Sequence, residues 1–530
     1  MITKKEREWA FGFAVVIMIL TTIPYLVAQI NEGENWKFTG FLIGVEDGNS
    51  YIAKMLSGAN GSWLFKTPYT TYPQTGVLAF TTYIILGKLA AGNGMHVQLL
   101  ALFHGYRFIA GILCIMATYE FLAIYVHTPW TRKLGTALIC TGGGLGFLTM
   151  AGLDGLWQNR LPLEFYSPET FGFLSLFSLP HLALGRACLF WGLAAVIGGN
   201  HPLRKPSFSG LYFLILVLVQ PVTGVLAYAL IFLVLLEIVI THYLSNLHWK
   251  LAISAAWQSK KHQIAWVVGP SLPVLLYTII RYQTDPFLQQ WEKQNIILSP
   301  PVTDYLLAFG WTIPLIVISI WYMVRKKVQW QVFLIGWLVC LPVLVYFPVN
   351  IQRRLAEGVW AAVVVLVVLA CEKMVYGKKI LASAAVIFSI STVMVLSGGI
   401  FTAMNPGTPI YRSAKETAAF EFLEQEASPG DIVLASYGVS NAMPAWAPVR
   451  VVSGHGPESI HGEMINNEVN AFFSGELTSS QEQKFLKIYH VRYLFWGPEE
   501  KRLGNLNPQS IDYLQPVYQD DKYAIFEVMR

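Results

Sequence analysis

The chain has 530 residues, of which 54% are hydrophobic and 13% charged, and its mean hydropathy is positive. A soluble chain carries about 25% charged residues, so this composition excludes an ordinary water-soluble enzyme. The net charge of +5 does not indicate nucleic-acid binding, because the basic residues recur as short pairs between apolar runs instead of gathering in one patch.

In chain order, the first apolar run covers about residues 9–29 behind Lys4, Lys5 and Arg7. It is long for a signal-peptide core, and Gln29-Ile30-Asn31 makes a poor small-residue cleavage site, so a retained span is expected. Further runs fall near 97–126, 134–151, 181–199, 207–220, 223–244, 264–281, 303–324, 329–349, 357–374 and 380–400. Many reach the roughly 20 residues needed to cross the hydrocarbon as a helix. Their apolar residues are continuous, not alternating, which disfavours a barrel. The expected fold class is therefore a polytopic α-helical membrane protein of about eleven transmembrane helices. Basic residues at Arg132/Lys133, Arg204/Lys205, Lys260/Lys261, Arg325/Lys326/Lys327 and Lys378/Lys379 mark cytoplasmic connections. That assignment places the N-terminus in the cytoplasm and the C-terminal region outside, for a multi-pass protein of the cytoplasmic (inner) membrane.

Two outer connections are long, at 31–96 and 151–180. Within the first, Thr75–Leu89 is expected to lie as an interfacial helix, with a shorter one near Ser50–Leu56. Gly142-Gly-Gly-Leu-Gly146 reads as close helix packing inside a span. The division is thus a transmembrane domain over 1–400 and an extracytoplasmic α/β domain over 401–530. In the latter, Ser413-Ala-Lys-Glu416 has the form of a capping box opening a helix to about Ala427. Strands are expected near 431–436, 449–453, 491–496, 514–519 and 522–529, with helices near 461–473 and 480–489.

The cysteines Cys114, Cys140, Cys188, Cys340 and Cys371 lie in or beside apolar runs without metal-site spacing, so neither a disulfide framework nor a zinc site is expected. No phosphate loop, zinc-protease motif or nucleophile elbow is present. The acidic pair Glu46-Asp47 stands at a loop-to-helix junction, where it can cap a helix, bind a metal, or act as a base on a substrate hydroxyl. Asp154, Glu164 and Glu169, with Arg160 among them, occupy the second long loop, where they can converge with the first loop on one cavity and Asp154 is a candidate substrate-site residue; solvated loop charges are the plain alternative. His181 and Arg186 begin the next span and are possible substrate-site residues, as is Tyr51. Gln352-Arg353-Arg354 places two arginines on the outer side against the positive-inside rule, and their planar forks suit phosphate oxygens. Arg107 within a span is expected to find a partner in the bundle.

Several strings carry a family resemblance: Asp47-Gly-Asn-Ser-Tyr51-Ile-Ala-Lys-Met55, Gly61-Ser-Trp63-Leu-Phe65, Thr67-Pro-Tyr-Thr70, Gly142–Leu145, Gln352-Arg353-Arg354 and Gly454-His455. With the single first span, the long first outer loop and the outer C-terminal domain, the chain resembles the GT-C superfamily of membrane glycosyltransferases, in particular bacterial protein-mannosyltransferase and aminoarabinose-transferase-like proteins. The resemblance implies an inverting glycosyltransferase that moves a sugar from a polyprenyl-phosphate donor to a glycan, lipid or protein acceptor at the outer face. It implies Asp47 as the catalytic base, with neighbouring Glu46 as the fallback, and Arg353 and Arg354 as the lipid-phosphate site. No cofactor is implied with certainty; a divalent metal is compatible with the acidic pair. The first loop has the order Glu46-Asp47, where protein O-mannosyltransferases have Asp-Glu. The competing classes are a transporter or lipid flippase, and a non-catalytic glycan-assembly scaffold. No internal repeat supports the transporter.

Overall fold

The computed structural model describes residues 2–198, 205–245, 247–326 and 331–529. Arg204 and Lys327 of the expected cytoplasmic clusters, and the edges of two expected spans at Gly199 and at Gln329-Trp330, lie outside the described residues. The chain forms two compact units, one of residues 1–22, 106–279 and 297–398, the other of 23–105, 280–296 and 399–530.

The fold is polytopic and α-helical, and among the described residues eight helices are long and apolar enough to cross a membrane. Two shorter apolar helices, Pro206–Val219 and Val332–Val345, account for two more of the expected runs. The run at 134–151 departs from expectation. Its helix, Pro129–Thr141, is 13 residues long and stops at Gly142, whose ψ of 149° leaves the helical region. The glycines that follow do permit close approach, but in a turn and not within a span. A Cβ on Gly144 would lie 2.7 Å from the Ala308 Cα.

In the first unit the Val359–Cys371 helix is buried almost throughout. It packs against the helices Pro129–Thr141, Ile313–Lys326, Gln331–Val345 and Gly377–Phe388. Without water to solvate them, polar groups here must find partners within the protein. Arg107 donates to the Thr21 and Thr22 hydroxyls and to the carbonyls of Leu176 and Phe177. Arg132, expected as a topology charge, is buried and meets Glu6 at 2.5 Å. Glu164 is buried as well, accepting from the Gly146 amide at 2.6 Å, so it is not a solvated loop charge.

The second unit holds a mixed sheet. Strands β1 (Trp36–Phe38) and β2 (Tyr411–Ser413) pair antiparallel. The remaining strands are β3 (Ile432–Leu434), β4 (Arg450–Val451), β5 (Val491–Trp496), β6 (Leu514–Gln519) and β7 (Ala524–Val528). They form one sheet in the order β4-β3-β5-β7-β6, parallel from β4 to β5 and antiparallel beyond. The runs expected at 491–496 and 514–519 coincide with β5 and β6. Leu434, Leu494 and Phe526 from the sheet meet Phe472 and Phe473 of the helix Gly462–Ser474 in the core.

Three local expectations are corrected in this unit. The helix near 50–56 extends over Val45–Ala59. The stretch 75–89 is helical only over Thr81–Gly87, because Val77 pairs with Phe65 in a β-bridge. Ser413 stands at the N-cap of the helix Ala414–Glu426 but makes no side-chain cap. Glu416 lies instead 3.5 Å from Arg412.

The Val45–Ala59 helix lies so close to Thr81–Gly87 that only glycine fits at two points. A Cβ on Gly58 would be 2.1 Å from the Ile84 carbonyl oxygen, and one on Gly87 would be 1.8 Å from that of Met55. The helix also packs on Tyr437–Ala442 and on the short turn Met443–Ala445, which brings the first-loop residues against the segments flanking β3 and β4.

Candidate functional site

Gly44 starts the Val45–Ala59 helix in the left-handed region, with φ 62°, and Glu46 and Asp47 follow in the first turn. Unpaired amides and the helix dipole favour negative charge at this end. The two carboxylates have separate partners. Glu46 Oε1 accepts from the Tyr437 hydroxyl at 2.5 Å and from the Gly456 amide at 2.7 Å, so it ties down two C-terminal segments. The Asp47 side chain is 61% exposed, and its Oδ1 lies 3.2 Å from His455 Nε2. Both residues are exposed; Glu46 is engaged by the Tyr437 hydroxyl and the Gly456 amide, and Asp47 by the His455 imidazole.

Helical spacing puts Asp47, Ser50, Tyr51 and Lys54 on one face. Beneath Asp47 this face enters a buried charge network. Glu458 Oε1 receives Lys54 Nζ at 2.6 Å and the Ser50 hydroxyl at 2.9 Å, while Oε2 receives the Thr67 hydroxyl at 2.5 Å. The Lys54 and Glu458 side chains are 1% and 3% exposed. The Lys54 ammonium also sits 4.3 Å from the centre of the Phe80 ring. Burial alone would raise the Glu458 pKa, yet Lys54 and His455, with the hydrogen bonds from Lys54 and Thr67, hold it below the ordinary carboxylate value. His455 Nδ1 is 4.0 Å from Glu458 Oε1. Burial opposes the imidazolium, but the charges of Glu458 and Asp47 prevail and raise its pKa. The result is a relay of alternating charge, Lys54–Glu458–His455–Asp47, running from the core to the surface.

The loop carrying His455 is fixed from below. Ser459 Oγ accepts from the Gly454 and His455 amides and donates to the Tyr69 carbonyl. A Cβ on Gly454 would come within 2.6 Å of the Ser440 carbonyl carbon, so glycine is required for this approach. Tyr51 stacks on Tyr83 with centroids 4.7 Å apart.

The first unit contains a second polar cluster. Arg353 and Arg354 lie in the 3-10 turn Gln352–Ala356. The Nε atom of each is 3.9 Å from a Glu169 carboxylate oxygen, beyond hydrogen-bond distance. The Arg353 guanidinium lies 4.9 Å from the Tyr166 ring centre, and its buried Nε has no hydrogen-bond partner among the described residues. Arg160, in the same loop as Tyr166 and Glu169, grips Asp304 with two hydrogen bonds of 2.8 and 3.1 Å. Arg353 and Arg354 thus have a loose counter-ion, whereas Arg160 is engaged. A fork with an unsatisfied donor and a distant carboxylate is suited to accept an oxyanion.

The other sequence-derived candidates are placed differently. Arg186 is buried, with its donors directed to Glu357 at 2.5 Å, to Ser175 and to the carbonyls of Pro168 and Glu169. It fixes the backbone that carries Glu169. His181 is half-buried at the start of Pro180–Ile197, and Asp154 is exposed in the turn Asp154–Trp157. Lys54, Thr67, Tyr437, His455 and Glu458 were missed as site residues. The available signal was the loop Gly454-His455-Gly456-Pro457-Glu458, in which charged side chains sit between residues that fix the backbone. As for a metal, no group of three or more His, Cys, Asp or Glu side chains among the described residues is arranged to hold an ion. Glu458 is already engaged by Lys54 and Thr67, so no step is assigned to a metal.

No protein-family model and no curated protein matches the chain. Solved structures do. An oligosaccharyltransferase of Archaeoglobus fulgidus tethered with an acceptor peptide aligns with a TM-score of 0.51 and 13% identity, covering 92% of this chain and 69% of that one. The oligosaccharyltransferase AglB from the same organism, in complex with an inhibitory peptide and a dolichol-phosphate, gives 0.50 and 12%, over 94% and 70%. The arabinofuranosyltransferase AftD from Mycobacteria gives 0.52 and 14%, covering all of this chain and 42% of that much longer one. At these identities the likeness is one of fold. The chain shares the overall fold of these solved structures.

Proposed function

We propose that this chain is an inverting glycosyltransferase that moves a sugar from a polyprenyl-phosphate donor to an acceptor at the outer face of the cytoplasmic membrane. The observation that carries the reading is Asp47, an exposed carboxylate at a helix N-terminus, oriented by His455 and backed by the buried Lys54–Glu458 pair. Burying such a pair is costly and is not needed to stabilise a fold; holding a carboxylate in one geometry is a use that accounts for it. The superfamily fold and the dolichol-phosphate bound to AglB support a lipid-phosphate donor.

In the proposed reaction an acceptor hydroxyl attacks the anomeric carbon, and Asp47 takes its proton. The bond from that carbon to the phosphate oxygen breaks, and the polyprenyl phosphate leaves with the electron pair. Arg353 and Arg354 are assigned to the charge gathering on the phosphate. A single displacement inverts the anomeric centre. Glu46 anchors Tyr437 and Gly456 and so maintains the loop that presents His455. The accompanying topology has a cytoplasmic N-terminus, a membrane domain over 1–400 of about eleven crossings, an odd number, and an outer domain over 401–530.

The test is transfer from radiolabelled polyprenyl-phosphate sugars in membranes containing the protein. Label should reach a lipid-free or acceptor-linked product with the wild type and not with a normally inserted Asp47→Asn variant. Undiminished transfer by that variant would remove Asp47 as the base, and a scaffold would show no dependence on it.

A further inference from the structure

The second unit contains a cavity of about 590 Å³ that the proposed chemistry does not use. Its size is that of a small-ligand site, ordinarily about 300–1,000 Å³. One wall is the Val45–Ala59 helix and another is β4 at the sheet edge. The first-loop segment runs along that edge, with the Val451 amide donating to the Pro68 carbonyl at 2.8 Å and Thr70 bridging Ser453.

The lining has two distinctive features. Its charged side chains are Lys66 and Arg450, and among the described residues no acidic side chain lines it. Arg450 donates one Nη to the Thr70 carbonyl, but its Nε is buried without a partner. Burial of this guanidinium depresses its pKa from the ordinary value. A shielded cation with an unused donor is destabilising unless an anion is supplied. Flat, weakly polar surfaces also line the cavity, in Tyr72, Pro73 and Pro448. Such rings match the C–H faces of a sugar, while the cations match an oxyanion on it.

We propose that this cavity binds an acidic saccharide, its carboxylate or phosphate held by Arg450 and Lys66 and its ring set against Tyr72 and the prolines. Identifying that saccharide as part of the acceptor rests on the transferase reading; the binding itself does not. Thr67 connects the two features, since it lines the cavity and donates to Glu458. An occupant would therefore lie one side chain from the network behind Asp47.

The experiment measures binding by the full chain in lipid nanodiscs, with three disaccharide probes of equal size. One carries a glucuronate, one a 6-phosphate, and the third is neutral. At least one acidic probe should bind about tenfold or more tighter than the neutral one, as expected for a charge-assisted contact. Lys66→Glu should weaken that binding by about tenfold. Lys66 is exposed, so this variant should fold even if Arg450→Gln does not. The carboxylate and phosphate arms separate the two sources of the anion. Asp47→Asn should leave binding unchanged, which keeps a failed transferase reading distinct from a failed binding site. Equal binding of neutral and acidic probes, no binding of either acidic probe, or full binding by Lys66→Glu would overturn the proposal.

Discussion

Replacing Lys54 by methionine keeps most of the stem's volume among Tyr51, Phe65 and Phe80 but removes the ammonium 2.6 Å from Glu458. Glu458 would then be a buried carboxylate facing the Ser50 and Thr67 hydroxyls, with His455 at 4.0 Å as its remaining cation nearby. Removing one partner of a buried pair costs about 3–5 kcal/mol, because the other charge is left uncompensated. In the double variant Lys54→Met/Glu458→Gln no charge is stranded; the amide oxygen accepts from one of the two hydroxyls, which in the wild type bond different carboxylate oxygens, and the amide nitrogen donates to the other, so the loss should fall to about 1 kcal/mol. The double-variant cycle should therefore return a coupling of at least about 2 kcal/mol. Equilibrium unfolding in mixed micelles with a denaturing detergent would measure it. Single substitutions that each cost under about 1 kcal/mol and add without coupling would show that the pair is solvated and does not anchor the site.

His455→Gln should lower kcat by about tenfold with a smaller effect on KM, since it positions Asp47 through a hydrogen bond. The raised His455 pKa also has a stability consequence. The stabilisation is fully present below the unfolded value of about 6.5 and is lost as pH rises through the folded pKa. Wild type should thus exceed His455→Gln in stability at pH 6 and converge on it as pH rises; a gap that widens towards alkaline pH would contradict the sign. Glu458, held low, has the opposite dependence, with stabilisation present above the usual carboxylate range and lost as pH falls through the folded pKa. Arg354→Gln, at a side chain 37% exposed, should raise the KM for a polyprenyl-phosphate donor by about tenfold or more. An unchanged KM with a reduced kcat would mean that Arg354 does not hold the ground-state phosphate.

The membrane class and most helices were legible because lipid imposes long, continuous apolar runs. The expectation failed at 134–151, where hydropathy carried the reading through Gly142-Gly-Gly although the backbone turns there. Strands β5 and β6 were legible from their buried or alternating patterns between turn residues. The start of the Val45–Ala59 helix was not, since Gly48 reads as a breaker; it is accommodated because the Phe41 ring occupies the space of its missing side chain, 2.3 Å from an ideal Cβ. The acidic pair was visible as a pair, but the division of labour within it was not. That division depends on Tyr437, His455 and Gly456, which lie about 400 positions away. Lys54 and Glu458 are likewise separated by 404 positions, and each alone reads as a solvated charge. Local pattern carries no information about such partners; the packing of the first loop against β3 and β4 creates them.

The most direct test of the account follows both products in one reconstituted sample: release of polyprenyl phosphate, and the anomeric configuration of the sugar in its new linkage. Proteoliposomes holding only this protein, a labelled donor and an acceptor mixture should release one polyprenyl phosphate for each inverted glycosidic bond formed. Sugar that crosses the bilayer still attached to intact donor, with no new bond, would contradict the account and identify a transporter.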